Sequence, residues 1–390
     1  PLDKRFPGQE TFKGQIYHTA RWPKTPIDFK GKRVGVIGNG ATGIQVIQSI
    51  ASEVGQLKVF MRTPQYIIPM KNPKYNADDV NAYKARFEEL KATCPNTFTG
   101  FEYDFTHGAW GELTPAQRRE VMERIWNEGS LRLWLASFAE MFSDEDASEG
   151  VSEFVREKMR ERIKDPVLCD LLIPKDYGFG THRVPLESGF LEVFHRSNVE
   201  LVSVKNNAIA SVTPEGIKLA NGKVYELDVI VLATGFDAGT GALTRIDIRG
   251  RGGRALKDDW GRDIRTTLGM QVHGYPNLFT TGAPLAPSAA LCNMTTCLQQ
   301  QVNWISDCIK YMRQTGSKTI EPTIERQDEW VEHHDKIAND TLVVRTNSWY
   351  MGSNVEGKPR RLLSYIGGVG PYKKRCDEVT ESKYRGFAVT

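Results

Sequence analysis

The hydrophobic pattern of residues 31–62 predicts one β-α-β unit. The stretch "KRVGVIGNG" is a short apolar strand that runs into a glycine turn. The stretch "ATGIQVIQSIASEV" then carries apolar residues at helical spacing, and "LKVFM" has the character of a second strand. Short strands are also predicted at "VELVSV", "AIASVT", "GIKLA" and "LDVIVLATG". The last of these is a continuous apolar run, which is typical of the centre of a parallel sheet.

Residues 73–174 differ from this pattern, because they consist of charged amphipathic stretches. The stretches "NADDVNAYKARFEELK", "LTPAQRREVMERIW" and "SEFVREKMRERIKD" predict helices. Thr114 and Pro115 are suited to the N-cap and to the first position of one of these helices. Residues 270–390 predict a mixture of strands such as "RLLSYIGG", a helix near 293–314 and glycine-rich turns such as "IGGVGPY".

Composition excludes several classes of partner. The net charge of +3 on 390 residues is too small to indicate binding to nucleic acid or to an anionic membrane. No apolar run approaches the roughly 18 residues of a membrane-spanning helix. The six cysteines form no CxxC pair, so we expect no metal site. Scattered thiols are typical of a reducing compartment, and a cytoplasmic location is therefore predicted.

Gly38, Gly40 and Gly43 form a GxGxxG motif between the first strand and the helix. In a dinucleotide site, the first glycine permits the turn and the second lets the pyrophosphate approach the backbone. The third glycine packs the helix on the strand, and the helix N-terminus attracts the phosphates. A glycine turn without a ligand is the alternative interpretation. Two other glycine-rich stretches are expected not to bind phosphate: no helix is predicted after 250–255, and 367–372 lies near the end of the chain and contains a proline.

The end of the second strand indicates which dinucleotide binds. An NAD site would place Asp or Glu there to accept from the ribose 2′-hydroxyl. This strand instead ends at Arg62 and Thr63. A guanidinium can bind a 2′-phosphate through two charge-assisted hydrogen bonds, so NADP is favoured over NAD. The alternative is a solvated surface arginine.

The stretch "FKGQIYHTARWP" resembles the FxGxxxHxxxWP fingerprint of type I Baeyer–Villiger monooxygenases. Its matching positions are Phe12, Gly14, His18, Trp22 and Pro23. The resemblance continues through "FMRTP", "FGTHR", "ATGFD" and "NSWYMGSNVEGKPR", so it covers essentially the whole chain. "GTHRVPLE" and "PLAPSAALCNM" further resemble the branch that acts on cyclopentenylacetyl-CoA in camphor degradation.

The resemblance implies an α/β flavoprotein with two dinucleotide-binding domains. Residues 1–23 would be a linker that carries the fingerprint, and residues 24–72 with 175–235 a discontinuous Rossmann domain for NADP. Residues 73–174 would be a helical insertion, and residues 236–390 the C-terminal part of the FAD-binding domain. Family members carry an earlier GxGxxG for FAD. We therefore expect an N-terminal FAD-binding segment, on the order of 150 residues, to be absent from this sequence.

The resemblance also implies a reaction. In this family NADPH reduces FAD, O2 forms a flavin C4a-peroxide, and the peroxide attacks a ketone to yield an ester or lactone. A cyclic or bulky ketone is the expected substrate. Arg183 matches the family's catalytic arginine, and arginine suits this task because it stays protonated beside a developing anion. A salt-bridged loop residue is the alternative interpretation of Arg183.

The resemblance assigns further residues to the cofactors and the substrate. His182 stands where the family often has lysine, and a mostly neutral histidine is a weaker ligand for the 2′-phosphate. His18 is expected to couple domains rather than do chemistry. Leu285, Ala286 and Met294 are expected to shape the substrate pocket, although this loop and Trp349 would also suit a plain core. The expected cofactor-binding residues are Gly38, Asn39, Gly40, Ala41, Thr42, Gly43, Arg62, Thr63, His182, Thr234, Gly235, Met294 and Trp349.

Two other functions stay open at this point. One is a heteroatom-oxidising flavin monooxygenase, against which the Trp22-Pro23 ending of the fingerprint argues. The other is a non-catalytic NADP-binding module. The expected partners are a small-molecule ketone and O2, without nucleic acid or membrane, and a homodimer stays open.

Overall fold

The computed structural model describes residues 5–288 and 290–390, which form two compact units. The first unit contains the chain up to Asn72, Pro115–Trp134 and Asp146–Phe236. The second contains Pro73–Thr114, Leu135–Glu145 and Asp237–Thr390. The helical stretch 73–174 is thus divided between the two units, and the domain boundaries given above stay a prediction.

The chain alternates strands and helices in its first unit and is mainly helical in its second. In chain order the strands are β1 (Gln15–His18), β2 (Arg33–Ile37), β3 (Gln56–Met61), β4 (Ile68–Pro69), β5 (Leu186–Glu187), β6 (Val199–Ser203), β7 (Ile209–Thr213), β8 (Gly216–Leu219), β9 (Val224–Glu226), β10 (Val229–Leu232), β11 (Ile320–Pro322) and β12 (Phe387–Val389). The helices are α1 (Ala41–Ile50), α2 (Ala77–Ala85), α3 (Phe87–Thr93), α4 (Pro115–Glu128), α5 (Arg132–Leu135), α6 (Glu145–Arg162), α7 (Pro166–Leu172), α8 (Phe190–Val193), α9 (Gly241–Thr244), α10 (Leu256–Arg262), α11 (Met294–Thr315), α12 (Ile324–Asn339) and α13 (Val369–Glu381).

The first unit is built on a parallel sheet with the strand order β1-β10-β2-β3-β6. At its centre Val36 of β2 lies opposite Val231 of β10 and Val59 of β3, and all three are fully buried. Helix α1 packs its Ile44 and Ile47 into the same core. The predicted α/β class with a parallel sheet is therefore confirmed, and its β-α-β unit is β2-α1-β3.

One edge of this sheet was not predicted. β1 lies within the expected linker 1–23 and pairs with β10 from Gln15 to His18. It has only four residues, and their burial shows no continuous apolar side. Hydrophobic periodicity cannot identify so short an edge strand, because its pairing depends on backbone hydrogen bonds to a distant segment.

The second unit packs helices α11, α12 and α13 around aromatic side chains that include Trp304, Trp330 and Tyr372. The helix expected near 293–314 is confirmed as α11. The stretch "IGGVGPY", expected to be a turn, is non-helical only as far as Gly368, because α13 begins at Val369. Pro371 is tolerated there since a first-turn residue needs no intrahelical N–H donor. The absence of a helix after 250–255 was also predicted wrongly, because α10 begins at Leu256.

The prediction of a strand at "RLLSYIGG" is also wrong. Residues 361–368, which form this stretch, contain no strand. Leu363 accepts a backbone hydrogen bond from Leu285, and the Tyr365 N–H donates one to Ala286. These isolated bonds satisfy the backbone without a ladder, so the apolar residues are buried in an irregular segment. Among the described residues, no helix combines the length and apolar character needed to cross a membrane.

Candidate functional site

The candidate coenzyme site of the first unit lies where its central strands end. Gly38 follows β2, Arg62 follows β3, and Ala233 with Thr234 follows β10. Because β10, β2 and β3 are parallel neighbours, these residues lie along one edge of the sheet. The carboxyl edge of a parallel sheet is the usual place for ligands in α/β folds.

The glycine turn has the geometry that the motif demands. Gly38 has a φ of +101°, and a Cβ built on it would lie 2.5 Å from the Ala233 carbonyl oxygen. A Cβ on Gly43 would lie 2.2 Å from the Gly38 carbonyl oxygen. Glycine at these two positions is therefore required by the protein's own packing, before any ligand binds.

Gly40 differs from its two neighbours in the motif. Its φ is −67°, which any residue can adopt, and a built Cβ would meet nothing within 4 Å. It directly precedes α1, whose first turn receives no side-chain cap. An exposed backbone at the uncapped N-terminus of a helix is suited to a pyrophosphate, so these residues fit the NADP group.

This difference predicts separate effects for two alanine variants. Gly40→Ala should leave thermal stability unchanged while raising the KM for NADPH at least about tenfold, because the methyl group occupies the phosphate's approach. Gly43→Ala should instead destabilise the fold by about 1 to 3 kcal/mol through the contact with Gly38. Thermal midpoints and NADPH titrations of both variants check this. Equal melting losses in the two variants would contradict it.

Asn39 connects the glycine turn to the end of β3. Its side chain is buried, and its Nδ2 donates to the Thr63 carbonyl oxygen at 3.0 Å. Arg62 is exposed, and it forms no ion pair or hydrogen bond within residues 5–288 and 290–390. Ala41 and Thr42 lie half-buried in the first turn of α1. The hydrogen bond from Asn39 therefore fixes the backbone next to Arg62, whose guanidinium is free.

The loop 177–183, here called the arginine loop, carries His182 and Arg183. The His182 ring stacks on the ring of Tyr177 with centroids 4.0 Å apart and an angle of 17° between planes. Burial lowers the pKa of His182 to about 4. Arg183 is exposed and has no ion pair or hydrogen bond to any described residue. The cation available on this loop at neutral pH is thus Arg183 rather than His182.

The lowered pKa of His182 predicts a pH effect on stability. A histidine whose pKa falls on folding stabilises the protein above its unfolded pKa, and this stability is lost as the pH drops towards the folded value. The window therefore runs from about 6.5 down to about 4. Between about pH 7.5 and about pH 5, the free energy of unfolding measured in urea should fall more for the wild type than for His182→Gln. Equal losses would show that His182 does not titrate in this way.

The fingerprint segment joins the first unit because its strand β1 pairs with β10 in the parallel sheet. A Cβ on Gly14 would lie 2.3 Å from the Asp228 carbonyl oxygen, so only glycine allows this approach of β1 to β10. His18 Nδ1 accepts from the Ala20 N–H at 3.0 Å. A neutral His18 therefore carries its proton on Nε2, which lies 3.5 Å from Thr234 Oγ1. Thr234 and the adjacent Gly235, both half-buried, thus begin the loop that His18 contacts.

The second unit contains Trp349, which lies in a single 3₁₀ turn. Its indole is half-buried, and its N–H has no partner within the described part of the chain. The Tyr350 hydroxyl donates to the Ala290 carbonyl oxygen at 3.0 Å. Lys358 is buried and bonds to Asp237 at 2.8 Å and to the Ala238 carbonyl oxygen at 2.7 Å. These bonds fix the segment that presents Trp349.

The three expected pocket residues lie in the loop before α11 and at the first position of that helix. Leu285 and Ala286 are fully buried, while Met294 at the start of α11 is half-buried. Gln301 on α11 accepts from the Gly282 N–H at 2.8 Å, but its own buried amide nitrogen has no partner. The Met294 methyl group lies close to Gly282 as well. A buried, unpaired donor beside Met294 fits a group with acceptor atoms such as flavin.

Several residues of these sites were missed by sequence reasoning. Tyr66 and Tyr177 contact the segments that carry the predicted residues and belong to no recognisable motif. Lys358 lies within the quoted stretch "NSWYMGSNVEGKPR" but was not singled out there. The structure places the glycine turn, Arg62, His182, Arg183 and Thr234 in the first unit. It places Leu285, Ala286, Met294 and Trp349 in the second. The individual roles of these residues stay predictions.

The sequence matches known proteins over its full length. The flavin-binding monooxygenase-like family profile matches residues 1–110. The chain is 67% identical to acetone monooxygenase (methyl acetate-forming) from Gordonia sp. (strain TY-5), covering 100% of this chain and 73% of that protein. It is 37% identical to 2-oxo-Delta(3)-4,5,5-trimethylcyclopentenylacetyl-CoA monooxygenase from Pseudomonas putida, covering 97% of this chain and 71% of that protein.

The fold of this chain also matches solved structures. A crystal structure of OTEMO in complex with FAD and NADP has a TM-score of 0.95 and 36% identity. The match covers 100% of this chain and 73% of that one. Together with the fingerprint and the glycine turn, these similarities show that the chain belongs to the Baeyer–Villiger monooxygenases, within the flavin-binding monooxygenase-like proteins.

Proposed function

We propose that this Baeyer–Villiger monooxygenase inserts oxygen beside the carbonyl of small open-chain ketones and releases esters, with Arg183 as its catalytic cation. The observation that carries the catalytic assignment is Arg183 itself, an exposed guanidinium without an internal partner on a loop packed by buried aromatic side chains. The relative that is 67% identical is named for acetone and methyl acetate, which supports small ketones over the cyclic or bulky ones first expected.

Each part of the NADP site has a separate task in this proposal. The backbone at Gly40 and the N-terminus of α1 bind the pyrophosphate, since both are open and uncapped. Arg62 binds the 2′-phosphate, because its guanidinium is exposed and has no competing carboxylate in the described residues. His182 contributes a neutral ring rather than a charge. We assign residues 24–72 and 175–235 to this NADP domain.

The flavin side of the proposal concerns residues 236–390. FAD, when bound, supplies the hydride and oxygen chemistry that no amino-acid side chain provides. Met294 and the amide of Gln301 would contact the flavin, and the free indole N–H of Trp349 would donate to the nicotinamide end of NADP. Leu285 and Ala286 would limit the size of the substrate through the packing of their loop.

Arg183 would stabilise negative charge that develops on oxygen during the reaction. A guanidinium remains protonated at neutral pH, so it stabilises an anion without transferring its own proton. Such a preorganised cation is most effective where water is excluded, because the local dielectric is then low. The Arg183 side chain needs no ion pair to be broken before it can take this role.

The substrate proposal can be tested with the flavin-loaded enzyme. We expect NADPH oxidation to be coupled to ester formation with acetone and 2-butanone, and less efficiently with cyclohexanone. Thioanisole serves as the heteroatom control. If sulfoxide is formed but no ester from any ketone, the heteroatom-oxidising alternative replaces this proposal. A cytoplasmic location and the oligomeric state, including a homodimer, stay predictions.

A further inference from the structure

The arginine loop is held by an aromatic cluster, here called the aromatic clamp, which consists of Tyr66, Tyr177 and Phe179. The Tyr177 hydroxyl donates to the Pro64 carbonyl oxygen at 2.8 Å and accepts from the Tyr66 N–H at 3.3 Å. The ring of Tyr66 meets the rings of Tyr177 and Phe179 edge to face, at 5.3 and 5.7 Å. Because Tyr177 also stacks on His182, the clamp reaches the residue next to Arg183.

Helix α6 also contacts this clamp and the arginine loop. The Phe179 N–H donates to Ser152 Oγ at 2.8 Å. A Cβ on Gly178 would lie 2.6 Å from Ser148 Oγ, so the loop lies directly against the helix. The position of the arginine loop is therefore set by contacts with α6 as well as by the segment after β3.

Arg156 on α6 completes the arrangement with a buried charge. Its Nη1 donates to the Tyr66 hydroxyl at 2.8 Å, and only 9% of its side chain is exposed. It also pairs with Glu149 and Glu153, whose side chains are 70% and 44% exposed. Because both glutamates are exposed, they could pair equally well with an arginine side chain at the protein surface. The feature that requires burial of the guanidinium is its hydrogen bond to Tyr66, which is itself buried.

We propose that Arg156 is a positioning residue for the coenzyme site, which acts through the Tyr66 hydroxyl to hold the aromatic clamp and thereby the arginine loop. Without Arg156 the Tyr66 hydroxyl loses its charged donor, and the ring is free to shift against Tyr177 and Phe179. A displacement of the loop by about 1 Å would move His182 and Arg183 away from the bound coenzyme, and such displacements can cost up to about a hundredfold in rate. This inference rests on the roles proposed above for the arginine loop.

The chain offers a matched control on the same helix. Arg160 pairs with the other oxygen of Glu153 at 2.7 Å, and 46% of its side chain is exposed. It shares a carboxylate partner with Arg156, but no hydrogen bond joins it to Tyr66 among the described residues. Loss of Arg160 should therefore change the helix electrostatics without releasing the clamp.

The test compares Arg156→Met, Tyr66→Phe, the double variant and Arg160→Met in the flavin-loaded enzyme. We expect each of the first two to raise the KM for NADPH about tenfold, with a smaller change in kcat at saturating coenzyme. The double variant should be no worse than either single variant, because both remove one interaction. Arg160→Met should behave as the wild type, and Arg156→Lys should restore part of the affinity.

Three outcomes would overturn the inference. They are a KM for NADPH within twofold of wild type in Tyr66→Phe, the same increase in Arg160→Met, or a double variant whose effect is the product of the single effects. Tyr66→Phe retains the ring and decides the question even when Arg156→Met does not fold. The inference and the proposed function fail separately, because full ketone oxygenation by Arg183→Ala would refute the latter whatever Arg156 does.

Discussion

Replacement of Arg183 by alanine should lower kcat for ester formation by at least about 10² to 10³, while the enzyme still folds and binds flavin. The side chain is exposed and unpaired within the described residues, so its removal breaks no internal contact. What is lost is a fixed cation at the developing oxyanion, which no neighbour replaces because burial keeps His182 neutral. Product analysis, together with the flavin content and melting temperature of the variant, checks this.

Two variants sharpen the Arg183 test. Arg196→Ala removes another exposed arginine from the same unit and should retain wild-type activity. Arg183→Lys keeps the charge but not the planar guanidinium, and it should recover only part of the rate. Ester formation close to wild type in Arg183→Ala would remove this residue from the mechanism.

Replacement of Arg62 by alanine should raise the KM for NADPH by about 10- to 150-fold, which corresponds to the loss of about 1.5 to 3 kcal/mol from charge-assisted hydrogen bonds. The KM for NADH should change little, because NADH has no 2′-phosphate to bind. Arg62 follows β3 directly, and the bond from Asn39 to Thr63 holds this turn beside the glycine motif.

NADH is the internal control for the Arg62 variant, since it shares every contact except those of the 2′-phosphate. Steady-state kinetics with both coenzymes on the same preparation measures the ratio directly. Equal increases in the two KM values would show that Arg62 supports the fold of the site rather than selecting the coenzyme. A residue other than Arg62 would then have to provide the preference for NADP.

Local pattern was sufficient for the centre of the first unit. The apolar run of β10 is continuous because a central parallel strand is buried on both faces. The strands β2 and β3 are short and mainly apolar, and α1 has clear helical spacing. The spacing of the three glycines between β2 and α1 then located the turn. The contact that excludes a side chain at Gly38 comes from Ala233, which is distant in the sequence, and Gly40 has no such steric requirement.

Other features depend on tertiary contacts and could not be predicted in this way. β1 is an edge strand of four residues that exists through its pairing with β10. The bond between Arg156 and Tyr66 joins residues 90 positions apart. By contrast α12 had a usable signal, because Thr323 caps it and Trp330, Val331 and His334 are buried at helical spacing. The sequence therefore contained enough information to predict α12, although this helix was not predicted.

The reaction proposed for this enzyme places oxygen between the carbonyl carbon and its neighbour in a small ketone. The most direct measurement incubates the flavin-loaded enzyme with NADPH and 2-butanone under ¹⁸O₂ and analyses the products by mass spectrometry. We expect an ester that carries one ¹⁸O atom, located in its single-bonded oxygen, with one NADPH consumed for each ester formed. NADPH consumption that yields hydrogen peroxide and no labelled ester with any ketone tested would contradict it.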